Sequence, residues 1–174
     1  MDPMSSDRHQ EAVSILDMLI LDTMVGLRSL DIFSAIDDKR SMSVNMRAGL
    51  TRLSTMHLIL ALAKWMEFYE HYKNLIPERS AANAKTVYKD LKRRGVRDFR
   101  NKVVGHIWDK DVGKPLSKED TQKWLARVIG PDKAAFNRWI YNPGATDCTS
   151  HLVGLTENIR NALRKEGATP SPAA

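Results

Sequence analysis

The chain predicts an all-α protein, a single helical bundle of about five to six helices. Three observations carry that expectation. Apolar residues recur at three- and four-residue spacing almost from end to end. No stretch of useful length alternates apolar and polar residues as a half-buried strand does. Glycine, proline and an Asn-Pro-Gly cluster punctuate the pattern at helix-like intervals. The 174 residues, 43% hydrophobic and 28% charged, suffice for one domain with its own core and have the balance of a soluble globular protein.

The elements follow in order. Residues 1–6 read as a flexible N-terminus, and a single domain spans 7–166. Asp7 is placed to cap a first helix carrying Ala12, Ile15, Leu16, Leu19, Thr23, Leu27 and Leu30 on one stripe. Asp37-Asp38-Lys39-Arg40 makes a turn. A second long helix begins near Ser41 or Ser43, carries Met46, Leu50, Leu53, Met56, Leu60 and Ala63, and ends before Pro77. Its wide apolar surface marks it as central. A third helix runs from about Ser80 to Arg94, with Gly95 as its stop. A short fourth helix then holds a basic motif, and Asp109 to Lys114 forms a loop. Ser117 caps a further helix with Asp120 three positions on, in the manner of a capping box. That helix carries Trp124, Leu125 and Val128 and stops at Gly130. Pro131 opens another through Phe136, Trp139 and Ile140, which Asn142-Pro143-Gly144 breaks. A last helix holds Leu152, Leu155, Ile159 and Leu163. The tail 167–174 is expected to be disordered.

The formal net charge is +6, which favours anionic partners such as nucleic acid or an acidic protein. The excess is concentrated. Lys92, Arg93, Arg94, Arg97, Arg100 and Lys102 face only Asp98 within one short window, while the remainder is nearly balanced. Cys148 is the single cysteine, so no intramolecular disulfide forms, which suits a reducing cytoplasm. The apolar stretch from Ile15 to Leu21 is interrupted by Asp17 and followed by Asp22. It is amphipathic and does not read as a membrane span.

The segment Arg100-Asn101-Lys102-Val103-Val104-Gly105-His106 brings together the groups that metal-free RNA cleavage needs. Histidine titrates near neutrality and serves as base or acid. Arginine offers a rigid fork of donors to phosphate oxygens. An asparagine amide orients either group or binds a phosphate oxygen. Spacing poses a problem, because six helical steps turn about 600°, leaving the two ends about 240° apart. Either the helix loosens at Gly105, or two copies of the motif complete one site across a dimer two-fold.

This segment resembles the defining motif of the HEPN superfamily, an arginine, usually a polar residue after it, and a histidine after four to six intervening residues. Five residues intervene here, and Asn101 fills the polar place. The wording, followed by Asp109 and Lys110, looks most like the abortive-infection branch. The resemblance implies a small helical bundle that dimerises through its motif-bearing helices. It implies a metal-independent endoribonuclease with Arg100 and His106 catalytic and Asn101 in support. Many members are toxins or phage-defence effectors, and some are non-catalytic scaffolds. Some toxins of the family carry a tyrosine two residues after the histidine, through which an antitoxin acts. Trp108 stands there in this chain.

The expected partners are therefore RNA, a second copy of the chain and, in a toxin, an antitoxin. No cofactor or metal is expected. Lys92, Arg93, Arg94, Arg97 and Lys102 read as RNA-binding, with Trp108 as a base platform. A solvated helix face is the simpler reading of Lys92, Arg93 and Arg94. Glu67, Glu70 and His71 share one face of the second helix, but no second helix supplies a matching set, so they read as a solvated face. Trp65, Trp124 and Trp139 read as packing residues. His57 reads as a core or interface residue, and His9 and His151 show no partner in the sequence.

Overall fold

The computed structural model describes residues 3–35, 43–104, 108–109, 113–115 and 117–168. Seven α-helices account for most of them: α1 (Pro3–Ala35), α2 (Val44–Tyr72), α3 (Glu78–Arg93), α4 (Val96–Phe99), α5 (Lys118–Ile129), α6 (Lys133–Ile140) and α7 (Leu152–Ala168). The all-α expectation holds with one or two more helices than foreseen. A two-residue antiparallel ladder, β1 (Trp108–Asp109) with β2 (Lys114–Pro115), stands where a plain loop was expected. Gly113, at φ +63°, supplies the left-handed turn that brings β2 back onto β1.

The first helix begins at Pro3, ahead of the expected cap at Asp7, and takes in residues 3–6 of the segment expected to be flexible. Proline suits a first helical position, where its missing N–H has no partner to lose. Ala12, Leu16, Leu19, Thr23, Leu27 and Leu30 are buried as their spacing implied. At the other end, α7 continues to Ala168, so Gly167 and Ala168 are helical and not part of a tail. Residues 169–174 lie outside the described residues.

Helices α1 and α2 run antiparallel, with Arg8 donating to the His71 carbonyl at one end and Gly26 against Leu58 at the other. A Cβ on Gly26 would sit 3.0 Å from the Leu58 Cα, so only glycine allows this approach without movement. Ser43 caps α2 by accepting the Met46 N–H at 3.2 Å. The inward face of α2 differs from the expected stripe. Leu58, Ile59, Leu62, Trp65 and Met66 are buried, whereas Met46 and Leu53 are 57% and 66% exposed. A helix apolar on most sides has no unique phase, and its neighbours α1 and α7 decide which side turns inward.

The core lies between α1, α2, α3 and α7. The Trp65 indole donates to Thr156 Oγ1 at 3.0 Å, and that hydroxyl donates to the Leu152 carbonyl at 2.7 Å, so α2 and α7 are locked through a satisfied buried polar pair. His151, which showed no partner in the sequence, accepts the Gly154 N–H on Nδ1 at 3.0 Å and caps α7. His57 is half-buried, 3.8 Å from Asp22 across the α1–α2 seam. Ser117 caps α5 through the Asp120 N–H as expected. Pro131 does not open α6. Asp132 caps it by accepting the Ala135 N–H at 2.9 Å, leaving Pro131 in the connection. No helix among the described residues is long and apolar enough to cross a membrane.

Candidate functional site

Gly95, at φ +70°, ends α3 and turns the chain into α4. Val96 and Phe99, both fully buried, pin α4 to the core. Their burial turns Arg97 and Arg100 toward the last turns of α2. Immediately after α4 the backbone widens into a π-turn over Arg100–Val104. Such turns bond each N–H to the fifth residue back and are uncommon in helices. The described part of the motif, Arg100–Val104, thus lies on this π-turn directly after α4, and Gly105, where loosening was expected, lies outside the described residues.

Two carboxylates of α2 meet the two arginines. Arg97 Nη2 lies 2.6 Å from Glu70 Oε2, and Arg100 Nη1 lies 2.7 Å from Glu67 Oε1. Each pair of residues is spaced i, i+3, and the two segments run in opposite directions, so the ion pairs form consecutive rungs. Tyr88 of α3 donates its hydroxyl to Glu70 Oε1 at 2.6 Å. The hydrogen bonds from Arg97 and then Tyr88 hold the Glu70 carboxyl below its ordinary 4.5. The same contacts raise Arg97 and Tyr88 above their usual ranges, in each case chiefly through the hydrogen bond with Glu70. Stacking of Tyr88 on Tyr69, with ring centres 4.7 Å apart, fixes its hydroxyl in place.

The outer rung is the more open. Arg100 and Glu67 side chains are 41% and 42% exposed. A guanidinium has five N–H donors, so Arg100 keeps others for a phosphate while Glu67 holds Nη1. Asn101 is exposed beside it. Lys102 lies over the Trp124 ring, with Nζ 5.6 Å from its centre, and Arg127 lies 5.5 Å from the same ring. Arg100 therefore turns toward α2 and Lys102 toward α5, with Asn101 exposed between them in the chain. His106 lies outside the described residues. Trp108 is described only as the backbone of β1.

The rest of the basic run divides. Lys92 and Arg93 are exposed, with Arg93 paired to Asp90. Arg94 belongs to the scaffold. Its Nε donates to Asp90 Oδ2 at 2.7 Å, and Nη1 donates to the Val128 and Ile129 carbonyls at 2.9 and 3.2 Å. Its guanidinium lies 5.4 Å from the Phe136 ring centre and 5.1 Å from that of Trp139. It closes the C-terminal end of α5 and bridges α3 to α6, which leaves it unsuited to binding RNA. Burial opposes the Asp90 carboxylate, but the bonds from Arg94 and Arg93 outweigh it and hold the group below its ordinary 3.8.

In place of the solvated face expected of them, Glu67 and Glu70 pair with Arg100 and Arg97, a long-range contact the sequence reading misses. The signal was present in two glutamates and two arginines at matching spacing. Among the described residues no group of three His, Cys, Asp or Glu side chains stands close enough to hold a metal ion. Trp65 is fully buried, and Trp124 and Trp139 are half-buried against the core, as packing residues should be.

No protein-family model matches the chain. No curated protein matches it. Among solved structures, the fold is similar to an integron cassette protein from the mobile metagenome of V. paracholerae, at a TM-score of 0.76 and 22% identity over 91% of this chain and 96% of that one.

Proposed function

We propose that this protein is a metal-independent endoribonuclease of HEPN type. In the reaction the 2′-oxygen of RNA attacks the adjacent phosphorus and the bond to the 5′-oxygen breaks. His106 moves the proton from the 2′-hydroxyl or onto the leaving oxygen, and Arg100 steadies the charge that builds on the phosphoryl oxygens. Asn101 orients the phosphate. The active form in this reading is a homodimer through the motif-bearing helices, acting in the cytoplasm as a toxin or phage-defence effector that an antitoxin partner restrains.

The observation that supports this best is the half-exposed Arg100 on a π-turn, held at one nitrogen by Glu67 with Asn101 beside it. Single π-turns occur frequently at functional sites. Purified protein is expected to cut single-stranded RNA in EDTA. Substituting Arg100 or His106 by Ala abolishes cutting while leaving the far-UV CD spectrum unchanged. Equal cutting by these variants rules the assignment out.

One feature favours a second reading, a non-catalytic HEPN-like module that binds RNA or an acidic protein. Arg100 already has a carboxylate at 2.7 Å, which lowers its attraction for phosphate. Such a module binds with strong salt dependence and releases no cleavage products.

A further inference from the structure

Where α1 and α2 run side by side, a pocket of about 370 Å³ opens between them. Its apolar lining includes Ile15 and Met18 of α1 and Phe68 of α2. Asp22, Lys64 and Glu67 line it as well. Met18 is 62% exposed, a large apolar side chain left facing water. The pocket meets the motif at Glu67. That side chain lines the pocket and accepts the Arg100 Nη1 donor on Oε1 at 2.7 Å. A group held by Glu67 in the pocket and a phosphate held by Arg100 are therefore one side chain apart.

The polar groups of the pocket are positioned by their own partners. Lys64 Nζ donates to Asp22 Oδ2 at 2.9 Å, as Arg100 does to Glu67. Neither contact exhausts its members, because a carboxylate has about four acceptor sites and an ammonium three donors. Lys64 and Glu67 are three residues apart on α2, so their side chains are neighbours. The pocket thus sets two acceptors and one donor on an apolar hollow, the pattern of a site for a small planar ligand. Guanine presents the complement. Its Watson–Crick edge carries adjacent N–H donors at N1 and N2 beside the carbonyl O6. Adenine and cytosine offer a single amino donor on that edge, and uracil one N–H between two carbonyls. A base reaches such a pocket only when unstacked, as in a single strand.

We infer that this pocket receives a guanine of the RNA strand that Arg100 engages. Its N1–H and N2–H donate to the two carboxylates, and its O6 accepts from Lys64. Its ring lies against Ile15 and Met18, and a methionine, flexible and polarizable, suits an aromatic face. This rests on the reading of the motif as an RNA site. It makes the seam between α1 and α2 the source of base preference for that site.

The test is fluorescence anisotropy with the full chain in EDTA. The probes are short labelled 2′-O-methyl strands, which lack the hydroxyl that attacks phosphorus. Each is oligouridine with one central guanosine, inosine, adenosine or cytidine, beside an all-uridine strand. The guanosine strand should bind more than about tenfold tighter than the adenosine, cytidine and uridine strands. Inosine lacks the N2 amino group and should bind about fivefold more weakly than guanosine. Two variants tie the preference to the pocket. Met18→Trp, at an exposed position, fills the hollow with an indole. Glu67→Gln replaces an acceptor oxygen with an N–H donor. Each should bring the ratio of guanosine to adenosine affinity to within about twofold of unity. A ratio cancels any effect on the Arg100 contact that both strands share. Far-UV CD and melting temperature check the fold, and if one variant loses it, the ratio in the other decides. Unless guanosine binds tightest to the parent, the inference fails. It also fails if the preference survives substitution, or if the parent binds 5′-GMP and shows no preference among strands. With unmodified strands, a guanosine preference without cleavage sinks the nuclease reading and leaves this one standing. Cleavage that ignores base identity does the reverse.

Discussion

Arg94 and Arg100 come from the same run of positive charge, but their surroundings differ in kind. Arg94 is 21% exposed, gives three hydrogen bonds, and lies over two aromatic rings. Arg100 is 41% exposed and rests on one carboxylate at the rim of the bundle. The difference lies in what each loses if removed. Taking Arg94 away leaves Asp90 with Arg93 alone and two helix-end carbonyls without their side-chain donor. Taking Arg100 away leaves Glu67 facing water, which solvates it readily. A charge run seen in sequence therefore mixes residues that hold the fold with residues that the fold holds out.

Four measurements break or sharpen that contrast. The largest effect is expected at the open end. Arg100→Ala and His106→Ala should each lower RNA cleavage in EDTA by about 10²–10³-fold or more, with melting temperature nearly unchanged. Arg94→Ala should instead lower unfolding free energy by about 2–3 kcal/mol, read from urea melts, with cleavage retained wherever the protein stays folded. If the two variants exchanged these signatures, the division would be wrong. Glu67→Ala comes next. It should reduce kcat about tenfold through loss of Arg100 positioning, while stability changes by less than about 1 kcal/mol. A loss of stability as large as that of Arg94→Ala would move the outer rung into the scaffold.

The smallest effect is a pH dependence at Glu70. Its carboxyl is held below 4.5 in the folded protein, chiefly by Arg97. The stability it contributes is present in full above 4.5 and is lost as pH falls through the depressed folded value. Because Glu70 is partly exposed, the contribution is about 1 kcal/mol or less. Urea melts of the parent and Glu70→Gln should differ at pH 7 and draw together as pH falls below 4.5. A gap that stays constant with pH would show that the inner rung acts by shape and not by charge.

The fold was largely legible because helix signals are local. Ser117 with Asp120, Gly95 and Gly130 each mark a boundary through their own neighbours, and the structure places caps and stops there. What failed was long-range. The inward phase of α2 depends on α1 and α7 lying where they do, and its own residues are too uniformly apolar to announce it. Arg94 reads like Arg93 in the sequence, since the carbonyls it reaches belong to α5, some thirty-five residues later. The rungs between α2 and α4 fall between these cases. Matching i, i+3 spacings were visible, but only the packing of Val96 and Phe99 brings them into register.

The π-turn at Arg100–Val104 has a bearing on how this chain can change over evolutionary time. A π-turn is equivalent to one extra residue accommodated within an α-helix. Deleting a residue from 101–104 would let the turn relax to α-geometry without disturbing Arg97 or Arg100, which are fixed upstream by their glutamates. The lost residue and the relaxed turn would offset each other, so the facing of α4 and its arginines relative to α2 is kept. The segment thus behaves as slack in the chain, able to lose one residue while the arginine rungs stay in place.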